Sequence, residues 1–266
     1  MPIKKSQGFT LLEMAVVLAI FAALLGIMIT PMSAQRESAN IRKARAELAD
    51  IEQALYGYAI TNGALPCPTF PGMGGQALSS AGNCDRGGAS AFHGFVPYQS
   101  LGLKGQVDCY GLLLDPWGQP YRYSVSGKDT ANGLADFTTP GDIRAELAAA
   151  GSLSLIQPDI RICGDASSAC NASTAAASLV ADNIGAVAFS LGRHNQSLSA
   201  TENENAGEAS EAVSGACSAS SFGLAADRFF YRVPVNEQAG NEFDDEFIWI
   251  SPSLLYARML AAGQLP

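Results

Sequence analysis

One carboxylate stands inside a long apolar segment near the start of the chain. From Phe9 to Ile29 there are twenty-one residues, and Glu13 is the one ionisable side chain among them. Placing a charged side chain in the interior of a membrane costs roughly 2.5 to 3.5 kcal/mol even on the milder scales. A carboxylate in this position needs a partner or a function, so Glu13 is the first candidate functional residue.

Six cysteines are the second group with defined chemistry. They are Cys67, Cys84, Cys109, Cys163, Cys170 and Cys217, all beyond the apolar segment. An even number in an exported domain indicates disulfides, with fifteen connectivities for three bonds. Zinc is the competing interpretation, but no Cys-x-x-Cys pair occurs and the two histidines, His93 and His194, are far apart in sequence. Cys163 and Cys170 enclose a short loop and are the pair we expect first.

Acidic side chains cluster in the last third of the chain. The net charge is −9, and ten acidic residues lie between positions 202 and 246 against two arginines. Ca²⁺ takes about 6 to 8 oxygen ligands, so one hypothesis is a calcium site formed by Glu202, Glu204, Asp244 and Asp245. The other is a solvated acidic surface, because no EF-hand spacing is present. Either way, the negative charge argues against nucleic acid as a partner.

No arrangement of residues indicates catalysis. Two histidines limit acid–base chemistry at neutral pH, and the nucleophile motif Gly-x-Ser-x-Gly is absent from the sequence. His194 follows a predicted strand, within Gly192-Arg193-His194-Asn195, and we interpret it as a turn residue. We therefore do not expect an enzyme.

The apolar segment is long enough to cross a membrane. A helix rises about 1.5 Å per residue and the hydrocarbon core is about 30 Å thick. A secretory signal peptide is the alternative, but its apolar core usually has about 7 to 15 residues and it gives Glu13 no role. Lys4 and Lys5 favour a cytoplasmic N-terminus, although basic residues also follow the segment. The six cysteines all lie beyond the segment, and disulfides form in an oxidising compartment, so this part of the chain is expected to be exported.

A long helix is predicted to position these groups. Pro31 is expected to kink or interrupt it, but an apolar stripe with steps of three and four residues indicates that it resumes. The stripe consists of Ile41, Ala44, Leu48, Ile51, Leu55 and Tyr58. The helix should run from Phe9 to about Thr61, end at Asn62-Gly63, and pack its second half against the head. A short free coiled coil is the alternative.

The remaining residues, 63–266, are expected to form an α+β head domain. Gly and Pro between 63 and 105 predict loops. Helices are predicted at 142–150 and from Ser251-Pro252 onward. Strands are predicted near 121–123 and at 159–163, 185–191, 228–233 and 246–250. Surface insertions are predicted at 164–178 and 197–221. Strands without long helices between them indicate an antiparallel sheet laid on the long helix.

The start of the chain resembles the N-terminus of type IV pilins and of the pseudopilins of type II secretion. The resemblance is carried by Lys4-Lys5, by Gly8-Phe9-Thr10-Leu11-Leu12-Glu13 and by the apolar segment. In that family a prepilin peptidase cuts after the glycine, the new N-terminal residue is methylated, and the glutamate directs assembly. The resemblance implies a cut between Gly8 and Phe9, methylation of Phe9, and Glu13 as the assembly carboxylate. The freed amine and a neighbour's Glu13 are each costly to bury alone and tolerable as a pair.

Two further segments extend the resemblance. Asp115-Pro116-Trp117-Gly118, followed by Pro120-Tyr121-Arg122-Tyr123, is similar to the first sheet segment after the long helix in the major pseudopilins. Some pseudopilins hold calcium in loops near the C-terminus, and Asp244-Asp245 lies in a comparable place. The implied organisation is a leader peptide (1–8), a transmembrane helix (9–30), its amphipathic continuation (31–62) and the head domain (63–266).

The sequence therefore predicts a pilin-like structural subunit. Its expected partners are other pilin or pseudopilin subunits, the prepilin peptidase and methyltransferase, and an inner-membrane assembly platform. We expect a single-pass protein of the bacterial inner membrane with its head in the periplasm, and a pilus or pseudopilus after assembly. The long insertions favour a minor or specialised subunit. The alternative is an anchored periplasmic binding module that never polymerises, which would have no use for Glu13.

Overall fold

The structure, a computed structural model, describes most of the chain. The described residues are 10–78, 83–86, 91–166, 169–194, 199–207, 209–213, 220–224, 228–238 and 240–266, with backbone alone at 23–34, 209–213 and 220–224. The chain divides into two compact units, Met1–Arg42 and Lys43–Pro266.

Helices and strands occur together, as expected for the α+β class. The helices in the described part are α1 (Leu11–Asn62), α2 (Asp142–Ala150), α3 (Ala200–Ala206) and α4 (Pro252–Ala261). The strands there are β1 (His93–Phe95), β2 (Arg122–Val125), β3 (Ile160–Cys163), β4 (Leu179–Ile184), β5 (Ala186–Ser190), β6 (Ala209–Val213), β7 (Ser220–Leu224), β8 (Phe229–Tyr231) and β9 (Glu246–Ile250). The prediction of an α+β fold with an N-terminal helix and an antiparallel sheet is confirmed.

Helix α1 is a single element of 52 residues. It continues through Pro31, so the prediction of one long helix is confirmed and the helix is not interrupted there. It ends at Asn62, as predicted, because Gly63 adopts a left-handed φ of 72°, a conformation that a residue with a Cβ atom adopts at a cost. Among the residues that the structure describes, none of the helices combines the length and the apolar character needed to span a membrane.

The main sheet has four antiparallel strands in the order β1-β2-β5-β9. Strand β9 has the predicted bounds, and β5 lies inside its predicted range. Strand β1 falls in the segment 63–105, where regular structure was predicted to be sparse, and these three residues are the one strand described there. The pairing of His93 with Ser124 and of Phe95 with Arg122 holds this short strand against β2.

Two smaller sheets combine the predicted strands β3 and β8 with strands β4, β6 and β7, which the sequence did not predict. The order β4-β3-β8 includes one parallel pair, β3 with β8, where an antiparallel sheet was expected. Strands β6 and β7 form an antiparallel hairpin. The insertion predicted at 197–221 also contains α3, whose Thr201, Glu202, Asn205 and Ala206 are buried. This part of the insertion belongs to the packed interior, so describing it as surface was wrong.

The main core lies on the face of the sheet that contacts the second half of α1. From the predicted stripe, Ala44, Leu48, Ile51 and Leu55 are 0 to 1% exposed. Tyr56 and Ala59 continue the stripe in place of Tyr58. The cluster includes side chains from β2, β5 and β9 and from the residue before β2: Tyr121, Tyr123, Val125, Ala186, Ala188 and Ile250. The predicted packing of α1 against the head is confirmed, and the coiled coil is not needed.

A second core covers the opposite face of the main sheet. Along β5 the side chains alternate, so that Ala186 and Ala188 belong to the first core while Val187 and Phe189 belong to the second. Phe189 stacks on Phe247 with 4.7 Å between ring centroids. Because both faces of the main sheet are buried, its strands consist largely of apolar residues.

Polar contacts fix α1 to the sheet at its edge. The Arg45 guanidinium donates to both carboxylate oxygens of Glu246, at 2.6 and 3.0 Å. The Tyr121 hydroxyl donates to Glu47 at 2.7 Å. A bidentate pair of this kind adds geometric specificity as well as energy, so it sets where along the sheet the helix lies.

The segment Asp115-Pro116-Trp117-Gly118 is a turn, as predicted. One Asp115 carboxylate oxygen accepts the backbone N–H groups of Trp117 and Gln119, at 2.9 and 2.8 Å. The other accepts the Ser190 hydroxyl at 2.5 Å. Asp115 therefore links the turn before β2 to the end of β5, and its role is structural.

Two disulfides are described in full. Cys67 bonds to Cys84, and the predicted pair of Cys163 and Cys170 is confirmed. Cys109 is also disulfide-bonded. Cys217 lies outside the described residues, so its oxidation stays a prediction. No described cysteine is a free thiol, which agrees with an oxidising compartment.

Replacing a disulfide pair by serines should lower the free energy of unfolding by about 2 to 5 kcal/mol. The sequence separation of the two cysteines is 17 in the Cys67–Cys84 pair and 7 in the Cys163–Cys170 pair. Loop-closure entropy grows with the logarithm of loop length, so we expect the first double substitution to cost about 1 kcal/mol more than the second. Urea unfolding of both variants measures this, and stabilities equal to that of the wild type would contradict it.

Candidate functional site

The candidate assembly residue, Glu13, lies in the first turn of α1. Its carboxylate accepts the backbone N–H and the hydroxyl of Thr10, both at 2.9 Å, while its own N–H donates to the Thr10 hydroxyl at 3.3 Å. This is the reciprocal capping arrangement of a Thr at the N-cap and a Glu three residues later. In the single chain, Thr10 is thus the hydrogen-bond partner of the Glu13 carboxylate.

The apolar side chains around Glu13 are exposed in the single chain. Leu11 is 90% exposed, Leu18 63% and Phe21 58%. A contiguous apolar surface of this kind marks contact with a membrane or with another protein. Gly8 and Phe9, the predicted processing site, lie outside the described residues, so both stay predictions.

The predicted calcium ligands separate into three environments. Glu202 of α3 and Asp244 come together, since the Asp244 N–H donates to Glu202 at 3.1 Å. Glu204 is exposed and does not join them. Asp245 is buried and is bound instead by Asn205, whose amide donates to it at 2.7 Å.

A histidine joins Glu202 and Asp244 at this cluster. One donor atom from each of His194, Glu202 and Asp244 lies within 4.8 Å of the others. The His194 imidazole Nδ1 is 3.1 Å from an Asp244 oxygen, and the Arg193 N–H donates to the same oxygen at 2.9 Å. These contacts hold Asp244 without a metal, and a nitrogen ligand suits calcium poorly. Calcium binding here stays a prediction.

Asp245 belongs to a buried polar group beneath the cluster. Burial raises the pKa of Asp245 well above its usual value, and burial lowers that of Arg122 to about 10, with the charge of Asp245 acting in the opposite direction. Arg122 also lies over the Phe95 ring, 4.7 Å from its centroid. Asn205 links Asp245 to β8, because its side chain exchanges two hydrogen bonds with the Tyr231 backbone at 2.8 Å. These residues join α3 to the sheets.

A further group of three carboxylates was not predicted from the sequence. Asp136, Asp142 and Glu146 are 0, 5 and 3% exposed, and one oxygen from each lies within 4.8 Å of the others. Burial raises the pKa of Asp136 and of Glu146, and neighbouring carboxylates contribute to the rise. Asp142 and Glu146 are four residues apart on α2, and Asp136 follows Asp129 and Asn132 in the preceding loop. That spacing of oxygen-bearing side chains was the available signal.

Known proteins match this chain in two ways: a family model matches its start, and one relative aligns with about half of its length. A family model described as "Prokaryotic N-terminal methylation motif" matches residues 3–29. The chain is similar to the type II secretion system core protein G of Pseudomonas aeruginosa, with 26% identity over 124 residues, which is 47% of this chain and 77% of that protein. No solved structure matches the chain.

Replacing Gly192 by Ala should lower the free energy of unfolding by more than the backbone strain at this position alone. Gly192 has a φ of 61°, and a Cβ atom there would collide with the Asp244 carboxylate. We expect a loss of about 2 to 4 kcal/mol in the free energy of unfolding, from left-handed strain and overpacking together.

Gly118→Ala is the matched control. Gly118 has a φ of 83°, and a Cβ atom there meets nothing within 4 Å. The Gly118→Ala variant should therefore lose free energy of unfolding through left-handed strain alone, by about 1 to 2 kcal/mol. Urea unfolding measures both variants, and equal losses would mean that Asp244 moves freely and that the cluster is not rigid.

Proposed function

We propose that this chain is a minor pilin or pseudopilin of a type IV pilus or type II secretion filament, and that its N-terminal motif makes it a member of the type IV pilin and pseudopilin family. The observation that carries the proposal is Glu13, the one ionisable side chain in the apolar segment from Phe9 to Ile29. The match to the methylation motif over residues 3–29 and the similarity to a type II secretion core protein support it. The role is structural, with assembly in place of catalysis.

Processing by a prepilin peptidase is the first step of the proposal. The enzyme cuts between Gly8 and Phe9, removes the residues that include Lys4 and Lys5, and the new amine of Phe9 is methylated. The description of the matched family as a methylation motif supports this step.

Membrane insertion before assembly is the second step. Residues 9–30 span the bacterial inner membrane, and the head lies in the periplasm. The apolar sequence of this segment and the exposure of Leu11, Leu18 and Phe21 support the insertion. The disulfides of Cys67 with Cys84 and of Cys163 with Cys170 support an oxidising compartment for the head.

Charge pairing between subunits is the third step. In the single chain, the Glu13 carboxylate binds Thr10 of its own helix. In the filament, the Phe9 amine of an adjacent subunit approaches Glu13, and two charges that are costly to bury separately offset each other. The exposed apolar surface of the first turns of α1 supplies the remaining contact area.

An anchored binding module that never polymerises is the rival function. It would also have an apolar helix, but it would gain nothing from Glu13. The insertion that contains α3 and the β6–β7 hairpin adds bulk to the head, which favours a minor or specialised subunit over a densely packed major one.

Glu13→Ala should leave membrane insertion intact and impair incorporation into filaments. Insertion becomes easier because a charge is removed from the apolar segment, by roughly 2.5 to 3.5 kcal/mol. Incorporation falls because the Phe9 amine of the adjacent subunit loses its partner. The measurement combines membrane fractionation with recovery of the subunit from sheared or cross-linked filaments.

Two further variants separate the causes. Glu13→Gln retains a side chain that can cap the helix but removes the charge, so it should fail like Glu13→Ala if pairing matters. Asp50→Ala removes an exposed carboxylate from the same helix and should assemble normally. Recovery of Glu13→Gln in filaments at the wild-type level would reject charge pairing, and recovery of Glu13→Ala at that level would reject any role of Glu13 in assembly. Absence of the wild-type chain itself from filaments would favour the anchored module.

A further inference from the structure

Three buried carboxylates converge between the loop 129–136 and α2, at a distance in sequence from the Glu202 and Asp244 cluster. Asp136 ends the loop, and Asp142 and Glu146 occupy the first two turns of α2. Their nearest oxygens lie within 4.8 Å of one another, and all three side chains are at most 5% exposed. Within the described part of the chain, no Lys, Arg or His forms an ion pair with any of them.

One carboxylate oxygen in this group has no hydrogen-bond partner among the described residues. It is Oδ2 of Asp142, which is buried, while Oδ1 accepts the Asn132 amide at 2.6 Å. Asn132 thus holds one oxygen of the carboxylate, and the other is left without a protein partner beside two further buried acids. A buried polar atom in a native fold normally has a partner, so a ligand is expected beside it.

The loop holds its acids in place independently of the helix. Asp136 accepts the N–H and the hydroxyl of Thr130, at 3.1 and 2.6 Å. Asp129 accepts the N–H groups of Asn132 and Gly133, at 3.0 and 2.9 Å. Ligating oxygens that are positioned in advance lose little entropy on binding.

We propose that Asp136, Asp142 and Glu146 bind a calcium ion. Every donor is an oxygen, which suits a hard cation, and neither sulfur nor imidazole is among them, which disfavours zinc. Three carboxylates that bind in mono- or bidentate fashion, completed by water, meet the flexible coordination of Ca²⁺ better than the strict octahedron of Mg²⁺. The ion offsets the mutual repulsion that three buried carboxylates otherwise impose.

The ion would join two segments that contact the residues just after α1. Asp136 precedes Phe137, whose carbonyl accepts the Leu65 N–H at 2.7 Å. Asp142 follows Gly141, whose N–H donates to the Gly63 carbonyl at 3.3 Å. Calcium would therefore stiffen the part of the head that contacts the chain where it leaves α1. This inference stands independently of filament assembly.

The test uses the full-length chain, purified in detergent and stripped of metal with a chelator. Calorimetric titration with CaCl₂ counts the ions bound, and the melting temperature is recorded in chelator and in millimolar Ca²⁺. Glu146→Gln should melt at or above the wild-type temperature in chelator, because it relieves repulsion, and should lose the rise that Ca²⁺ gives the wild type.

Two companion variants make the result specific. Asn132→Ala changes an exposed residue that orients Asp142 and should weaken binding about 10- to 100-fold without removing a ligand. Glu202→Gln changes the other acidic cluster and should retain both the ion and the melting-temperature rise assigned to this site.

Three results would overturn the proposal. An unchanged wild-type melting temperature at millimolar Ca²⁺ would mean that protons hold the carboxylates together. An undiminished calcium response in both Glu146→Gln and Asn132→Ala would move the ion elsewhere, and loss of the whole response in Glu202→Gln alone would assign it to the Asp244 cluster.

Discussion

Burial of one face of α1 against the four-stranded sheet is the interaction on which the head depends. Leu48, Ile51 and Leu55 are almost completely buried, and each such side chain contributes about 1.5 to 3 kcal/mol. The small side chains of Ala186 and Ala188 in β5 leave room for the helix on that face. Since α1 is continuous from Leu11 to Asn62, the same helix that carries Glu13 in its first turn supplies a central element of the core.

Three carboxylates, those of Glu13, Asp142 and Asp244, each need a hydrogen-bond or charge partner. In the single chain Thr10 donates a hydrogen bond to Glu13, and backbone N–H groups donate to Asp244. Asp142 retains one buried oxygen without a protein partner in the described part. In our account, a neighbouring subunit takes over the first of these and a calcium ion completes the last, while Asp244 is already satisfied. The physical demand is the same in each case, because an uncompensated buried charge is strongly destabilising.

Local signals in the sequence were sufficient for α1, α2 and α4 and for part of the sheet, but not for α3. The stripe of α1 and the stop at Gly63 depend on residues that are close in sequence, so they could be predicted. Strand β1 could not, because three residues carry no alternation and are held by pairing with β2. The burial of Asp142 and Glu146 was also invisible. Two acids four residues apart on a helix usually indicate a solvated face, and the loop that carries Asp136 covers them only in the folded head.

Cleavage after Gly8 creates the amine that, in the proposed filament, pairs with a neighbour's Glu13. Mass spectrometry of the mature N-terminal peptide, from chain isolated out of its native membrane, tests this cleavage. We predict a peptide that begins at Phe9 and carries one methyl group on its amine. A chain that retains Lys4 and Lys5, or one that begins at Gln35 after cleavage of a signal peptide, would contradict it.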